Sequence, residues 1–558
     1  MNKTFKQLAV AAVVAAVAAP MALGGPKRGD DAAIVRNLDI FNSLYKELNT
    51  FYVDTLNPQK SIETAINAML DDIDPYTEYY PAKKQDEITV MSTGEYGGIG
   101  SYIMQDKQKR VCISEPYDGS PAARAGLKAG DRIVKIDGKD VTKWSQDKVS
   151  EALKGQANTS LSVTVVRPFV GADSVKTFNI VREKIKVNPV PYYGVVRGNI
   201  GYIVLNTFNE RSADAVKEAL LDFKKNPQVK CVALDLRGNG GGLLESAVQI
   251  VGYFVPKGTE VLKQKGRLKQ NEKTYKTTEE PIMPKMPLVV LVDGGSASAS
   301  EITAGSLQDL DRAVIIGARS FGKGLVQTTR QLPFDGLLKV TIAKYYIPSG
   351  RLIQEIDYSR RNADGTFQKV PDSLTHVFNT AHGRKVRDGG GITPDIKVSY
   401  PEVNRLVYNV VRDNWAFDFA SRYAAQHRSI PAAADFEVTD SLFAEFKRFI
   451  DPKKFNYDKV CEDGVANLKK VAKAEGYIND STSAVFAKLE KLLKHDLNHD
   501  LDVNRKELST LIADEILKRY YYQRGPIEYG LKTDEALDKA AAMLAKSGEY
   551  ARILNVKQ

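Results

Sequence analysis

Leu288-Val-Val-Leu-Val-Asp293, Gly294-Gly-Ser-Ala-Ser-Ala-Ser-Glu-Ile302 and Thr303-Ala-Gly-Ser-Leu-Gln-Asp309 run consecutively, and reading them decides the fold. The β-branched apolar run predicts a buried strand, broken by Gly294-Gly295. Ile302, Leu307 and Leu310 then mark the apolar side of a helix. Strand, tight turn and helix together put small residues at a helix N-terminus. There, unpaired N–H groups and the positive end of the dipole can stabilise a developing oxyanion. Four serines, Ser296, Ser298, Ser300 and Ser306, compete for a nucleophile's role, and the local residues do not choose among them.

The next segment offers a base. Arg312-Ala-Val-Ile-Ile-Gly317 reads as a strand, followed by Ala318-Arg-Ser-Phe-Gly-Lys323-Gly324 and the β-prone Leu325-Val-Gln327-Thr-Thr. Flanking glycines let the backbone turn tightly at Lys323 and carry its amine toward the serines. A lysine accepts a proton only when neutral, and at its ordinary pKa of ~10.4 roughly one in a few thousand is neutral at pH 7. A dry site away from carboxylates lowers that value, so a Ser/Lys pair depends on desolvation.

These motifs resemble those of the C-terminal processing (tail-specific) serine peptidases. The similarity rests on Gly295-Ser-Ala-Ser298-Ala-Ser-Glu-Ile, Gln308-Asp309 and Phe321-Gly-Lys323-Gly-Leu-Val-Gln327. The resemblance implies that Ser298 is the nucleophile, Lys323 the general base 25 positions on, and Gln327 the residue orienting the lysine. Asp309 matches an acid sometimes drawn into that family's site. It lies eleven residues along the helix, about 16 Å away, and is read as structural. Gly317-Ala-Arg-Ser-Phe-Gly322-Lys323 also fits a phosphate-binding loop. Gly324 stands where a Ser or Thr should hold magnesium, and a strand follows rather than a helix, which argues against nucleotide binding.

Working outward, Met1–Gly24 has a basic start (Lys3, Lys6), an apolar Leu8–Ala19 core and small residues after Pro20. It is expected to be an export signal, placing the protein in the cell envelope or periplasm; left uncleaved, it would tie the chain to a membrane. Residues 33–84 form an N-terminal helical segment, with two helices joined at Asn57-Pro58. Residues 85–185 resemble a PDZ domain throughout. Gly97, Gly98, Ile99 and Gly100 precede a strand from Ser101, and their N–H groups are expected to bind a substrate carboxylate while the peptide adds as a strand.

Residues 190–400 alternate strand and helix: a strand over 201–206, a helix over 212–226, a strand over 232–236, then Arg237-Gly-Asn-Gly-Gly-Gly242 leading into a helix. In a parallel arrangement that glycine turn lies beside the serine stretch, at the strand ends where ligands bind. The resemblance implies an oxyanion hole from the N–H groups of Gly241 (with Gly242 nearly equivalent) and Ala299. Residues 401–558 are helical by periodicity. Asp496-Leu-Asn-His-Asp500-Leu-Asp502 imitates a calcium loop but carries Leu501 where the turn needs glycine.

Composition adds boundaries. The 558 residues carry a formal charge of +10, with basic residues scattered rather than striped, so nucleic-acid binding is not expected. Three cysteines are no disulfide framework, and the five histidines form no ligand motif, so neither metal nor cofactor is expected. The expected fold is α/β multidomain: a β-rich PDZ domain and a crotonase-like α/β peptidase core, with N-terminal helices and a helical C-terminal region. The expected function is an exported serine endopeptidase that recognises unfolded protein C-termini and has a Ser/Lys dyad. The helical regions are candidates for a homodimer contact. The rival expectation is a non-catalytic PDZ scaffold or chaperone with a vestigial serine site.

Overall fold

All five side chains of Leu288–Val292 are at 0% exposure, which a strand reaches only in a sheet covered on both faces. The computed structural model describes residues 28–171, 174–400 and 404–556, divided into a unit ending at Tyr79 and one running from Tyr80. The export signal expected over Met1–Gly24 lies outside the described residues.

The first unit contains helices α1 (Arg28–Phe51) and α2 (Pro58–Asp71), with the break where Asn57-Pro58 placed it. Proline suits the first helical turn, and the Asn57 side chain accepts the Lys60 N–H at 3.0 Å. Ile34, Leu38, Phe41 and Leu48 of α1 are exposed.

The second unit begins with the PDZ domain. Its strands are β1 (Glu95–Gly98), β2 (Ser101–Gln105), β3 (Val111–Pro116), β4 (Arg132–Ile136), β5 (Ser160–Arg167), β6 (Ser174–Val181) and β7 (Glu183–Lys186). Helices α3 (Pro121–Ala125) and α4 (Gln146–Leu153) close it. The sheet order is β2-β3-β4-β5-β6, antiparallel throughout, with β2 on the edge, while β1 pairs separately with β7. Alternate residues of β5 (Leu161, Val163, Val165) point into a core that includes Ile113 and Val149.

The α/β segment expected over 190–400 is built on β8 (Tyr192–Val196), β9 (Ile200–Val204), β10 (Cys231–Asp235), β11 (Leu288–Val292), β12 (Val314–Gly317) and β15 (Ile396–Lys397), hydrogen-bonded in that order. Only the β8–β9 pair is antiparallel. Helices α5 (Ser212–Lys225), α6 (Leu244–Gly252) and α7 (Ala299–Asp309) cover one face, against Leu288, Val290 and Val292. The hairpin β13 (Leu325–Gln331) and β14 (Leu337–Tyr346) carries the chain beyond Lys323.

Val289 and Leu291 face the other way. They meet Ala536, Leu537 and Ala540 from α8 (Glu535–Ala545) and Leu554, which caps α9 (Glu549–Ile553). The last helices of the chain therefore complete the burial of the core sheet, a role that periodicity alone did not reveal. Four of the preceding helices, Arg405–Arg412, Trp415–Gln426, Asp440–Phe449 and Arg505–Tyr521, pack around their own core of Trp415, Phe419, Phe446, Leu508 and Ile512. Asp496 there caps a helix over Leu497–Val503, and Leu501 is fully buried. Cys112 and Cys231 are buried and Cys461 exposed, all unpaired. Among the described residues, no helix is long and apolar enough to cross a membrane.

Candidate active site

Parallel pairing of β10 with β11 brings the turn after Asp235 beside the turn after Val292. Gly238 and Gly295 both donate their N–H to Asp293 Oδ1 at 2.9 Å, and the Ala297 N–H reaches the Asn239 carbonyl at 3.0 Å. This lacing separates the four serines. Ser296 is fully buried and donates to the Leu236 carbonyl at 2.8 Å. Ser300 is fully buried and donates to the Asn239 carbonyl at 2.7 Å, and Ser306 is fully buried on the Val261 carbonyl at 2.9 Å. Ser298 alone of the four is partly exposed. It sits at the N-cap of α7 with φ 55° and ψ −111°, a sparsely populated conformation costing about 1–3 kcal/mol for a residue with a β-carbon. Such strain concentrates at functional sites.

Glu301, one turn into α7, ties this elbow to the lysine loop. Its Oε2 accepts the Ser298 N–H at 2.9 Å and the Lys323 N–H at 2.8 Å. Its Oε1 accepts the Gly322 N–H and the Ser320 hydroxyl, each at 2.6 Å. Burial of this fully enclosed carboxyl pushes its pKa up to about 7, while the Ser320 hydroxyl and the three amides pull it down. Tyr345 makes a second tie. Its hydroxyl lies 2.5 Å from the Lys323 carbonyl and 3.3 Å from the Ser298 carbonyl, so its single proton goes to the nearer oxygen. Gly322 has φ +89°, the left-handed turn that the glycine flanking Lys323 was expected to supply. The amides that a phosphate-binding loop would offer to phosphate are thus donated to Glu301, and strand β13 follows. Gln327, on β13, donates its side-chain amide to Thr341 Oγ1 at 3.1 Å.

Gly241 faces the same elbow. With φ +100°, a Cβ built there would lie 2.8 Å from Ser298 Cβ and 2.9 Å from the Ala299 nitrogen. Its own N–H is donated to Asn239 Oδ1 at 2.9 Å. The N–H groups of Gly242 and Ala299 have no acceptor among the described residues. Asp309 is remote from Ser298 in its contacts: it pairs at 2.8 Å with Arg351, both fully buried, and accepts the Ser349 N–H at 3.0 Å.

The PDZ glycines are less open than a loop reading expects. Gly97 and Gly98 lie in β1, opposite Lys184 and Glu183. Ile99 and Gly100 are buried, and their carbonyls accept the N–H groups of Ala122 and Tyr117, each at 2.9 Å. Their own N–H groups have no acceptor among the described residues.

Sequence reading missed Glu301 and Tyr345. The first had a signal: Ser298-x-x-Glu301 is a capping-box spacing. The second lies in Lys339–Arg351, a stretch that also resembles family segments expected to shape the substrate groove, but its own role was not singled out, since Tyr345 reaches the site only through strand pairing.

Known proteins match this arrangement in three segments. Peptidase family S41 matches residues 199–359, a PDZ domain residues 112–167, and the C-terminal helical domain of probable PDZ-proteases residues 406–544. The carboxy-terminal-processing protease of Bartonella bacilliformis is 39% identical over 324 residues, 58% of this chain and 73% of that one. A probable CtpA-like serine protease of Staphylococcus aureus is 31% identical over 496 residues, 88% of each chain. Among solved structures, the photosystem II D1 C-terminal processing protease aligns at 28% identity and a TM-score of 0.35, covering 64% of this chain and 86% of that one. The chain belongs to the carboxy-terminal-processing serine protease family, with a PDZ domain joined to an S41 peptidase core.

Proposed function

We propose that the protein is an exported endopeptidase that cuts unstructured polypeptides with a Ser298/Lys323 dyad and selects them by their C-terminal tails. The observation carrying this reading is that Ser298 alone of the four serines is partly exposed, on a strained elbow linked through one Glu301 oxygen to the Lys323 backbone. In this mechanism Lys323, neutral, takes the Ser298 proton as the hydroxyl attacks the scissile carbonyl, then returns it to the leaving amine. Gln327 steadies the lysine. Ala299 gives one oxyanion N–H, and the Gly241–Gly242 turn gives the other. Of that pair, Gly242 suits the role better, because the Gly241 amide is already donated to Asn239.

The tail enters as an added strand along the β2 edge, its carboxylate at the unpaired N–H groups of Ile99 and Gly100. The exposed apolar residues of α1 recur at three and four positions and suit pairing with a second copy. The Lys-flanked apolar segment Leu8–Ala19 supports export.

A serine panel tests the assignment. Ser298→Ala should abolish hydrolysis of an unstructured polypeptide. Ser296→Ala and Ser300→Ala each lose a buried hydrogen bond worth about 1–3 kcal/mol, so they should lower thermal stability but keep turnover. Hydrolysis surviving in Ser298→Ala would remove the proposal.

A further inference from the structure

Beside the lysine loop, at the C-terminal ends of β12 and β15, is a cavity of about 630 Å³. Arg319, Arg387 and Lys397 line it, with Asp388 as the one acid. The Asp388 carboxylate is engaged with His376, accepting its backbone N–H at 2.6 Å and lying 3.4 Å from Nδ1. Neighbouring arginines differ in kind from the cavity's. Arg384 is paired with Asp311 at 2.5 Å and Asp395 at 2.6 Å, and Arg351 with Asp309. Among the described residues, none of the three cavity cations has a carboxylate within ion-pair distance.

Two of the three cations are nevertheless held in place. Arg319 donates Nε to the Gly390 carbonyl, and a Cβ at Gly390 would lie 1.7 Å from its Nη2, so the guanidinium lies against that glycine. Arg387 donates Nη1 to Thr375 Oγ1 at 3.0 Å. Such cations keep their charge for an anion arriving from solvent. Arg319 is also four residues from Lys323, at most ~14 Å of chain, the span of about four residues of extended peptide.

We propose that this basic cavity is a substrate subsite for the carboxylate of an Asp or Glu side chain, about four residues along the polypeptide from the scissile bond. The substrate role rests on the peptidase reading above; the anion site does not. Arginine suits a carboxylate because its planar fork can give two parallel hydrogen bonds. A partly exposed pair of this kind is worth up to about fivefold in affinity and weakens with salt.

The test uses the full-length chain and two unstructured peptides with the same C-terminal residues. One carries Glu, the other Gln, at positions three to five residues either side of the cleaved bond. The wild type should show kcat/KM roughly fivefold higher for the Glu peptide, falling with added salt. In the double variant Arg387→Gln/Lys397→Gln that ratio should fall to about one. Binding of the same labelled peptides to Ser298→Ala protein, read by fluorescence anisotropy, should show the same preference and the same loss. Equal handling of both peptides by the wild type, or a preference surviving in the double variant, overturns the subsite. If the wild type cleaves neither peptide but the Ser298→Ala protein still binds the Glu form better, the anion site stands and the peptidase reading falls.

Discussion

Lys323 and Ser298 share one acceptor: Oε2 of Glu301 takes the lysine's N–H at 2.8 Å and the serine's at 2.9 Å. The ionised carboxylate accepts all four of its hydrogen bonds, whereas a protonated one must donate from one oxygen and lose an acceptor. With its pKa pushed up to about 7, Glu301 becomes neutral as pH falls through 7, and activity should fall with it. Stability runs the other way. A carboxyl raised above its ordinary 4.5 favours the folded state fully below 4.5 and loses that advantage as pH rises through 7. Glu301→Gln should lower kcat/KM tenfold or more, since ~1.4 kcal/mol is tenfold. It should also erase the inflection near 7 in both the activity and the stability profiles. An unchanged inflection in the variant would assign it elsewhere.

Gly241→Ala should stop turnover and also lower thermal stability, because φ is +100° there and a Cβ would lie 2.7 Å from the Ala297 carbonyl oxygen. The added methyl would sit 2.8 Å from Ser298 Cβ and 2.9 Å from the Ala299 nitrogen, where a reacting carbonyl oxygen would be held. Loss of oxyanion stabilisation costs about 10²–10³ in kcat. Wild-type kcat in this variant would move the reaction centre away from the elbow.

These geometries show what the sequence could and could not announce. Leu288–Val292 was legible as an unbroken apolar run and the 212–225 helix by its apolar period, whereas α7 is buried on every side, Ser300, Glu301, Gln308 and Asp309 included. The turn of Gly241 beside Ser298 followed from parallel pairing of two buried runs. The choice of Ser298 was not legible from local residues. What favours it over Ser296 and Ser300 is that their hydroxyls are donated to Leu236 and Asn239, some sixty positions away in the chain. The use of α8 and α9 to cover the core sheet was likewise hidden, since a helix's apolar face does not name its partner. The glycines at 97–98 read as loop because glycine disfavours strands, yet they pair with β7 in place.

Tail selection should depend on a free α-carboxylate. Amidating the substrate's C-terminus removes a charge whose hydrogen bonds are worth about 1.5–3 kcal/mol each, so kcat/KM should fall tenfold or more. Tyr102, on the edge strand β2, is 43% exposed, and Tyr102→Ala should weaken binding of the free-acid peptide more than of its amide. Equal cleavage of acid and amide would mean that the PDZ domain does not read the terminus.

The Arg351–Asp309 pair should prove structural. Both side chains are buried, so Arg351→Met strands a charge at a cost of about 3–5 kcal/mol, visible in thermal unfolding. Adding Asp309→Leu should restore much of that loss. A double variant that is stable but inactive would return Asp309 to the catalytic machinery.

The central claim is that Ser298 and Lys323 act as one unit. The direct measurement is kcat/KM for an unstructured free-acid polypeptide in wild type, Ser298→Ala, Lys323→Ala and the double variant. Each single change should cost at least ~10³-fold, and the double should cost no more than either alone. Losses that multiply, or a Lys323→Ala protein that keeps most of its activity, would contradict the dyad.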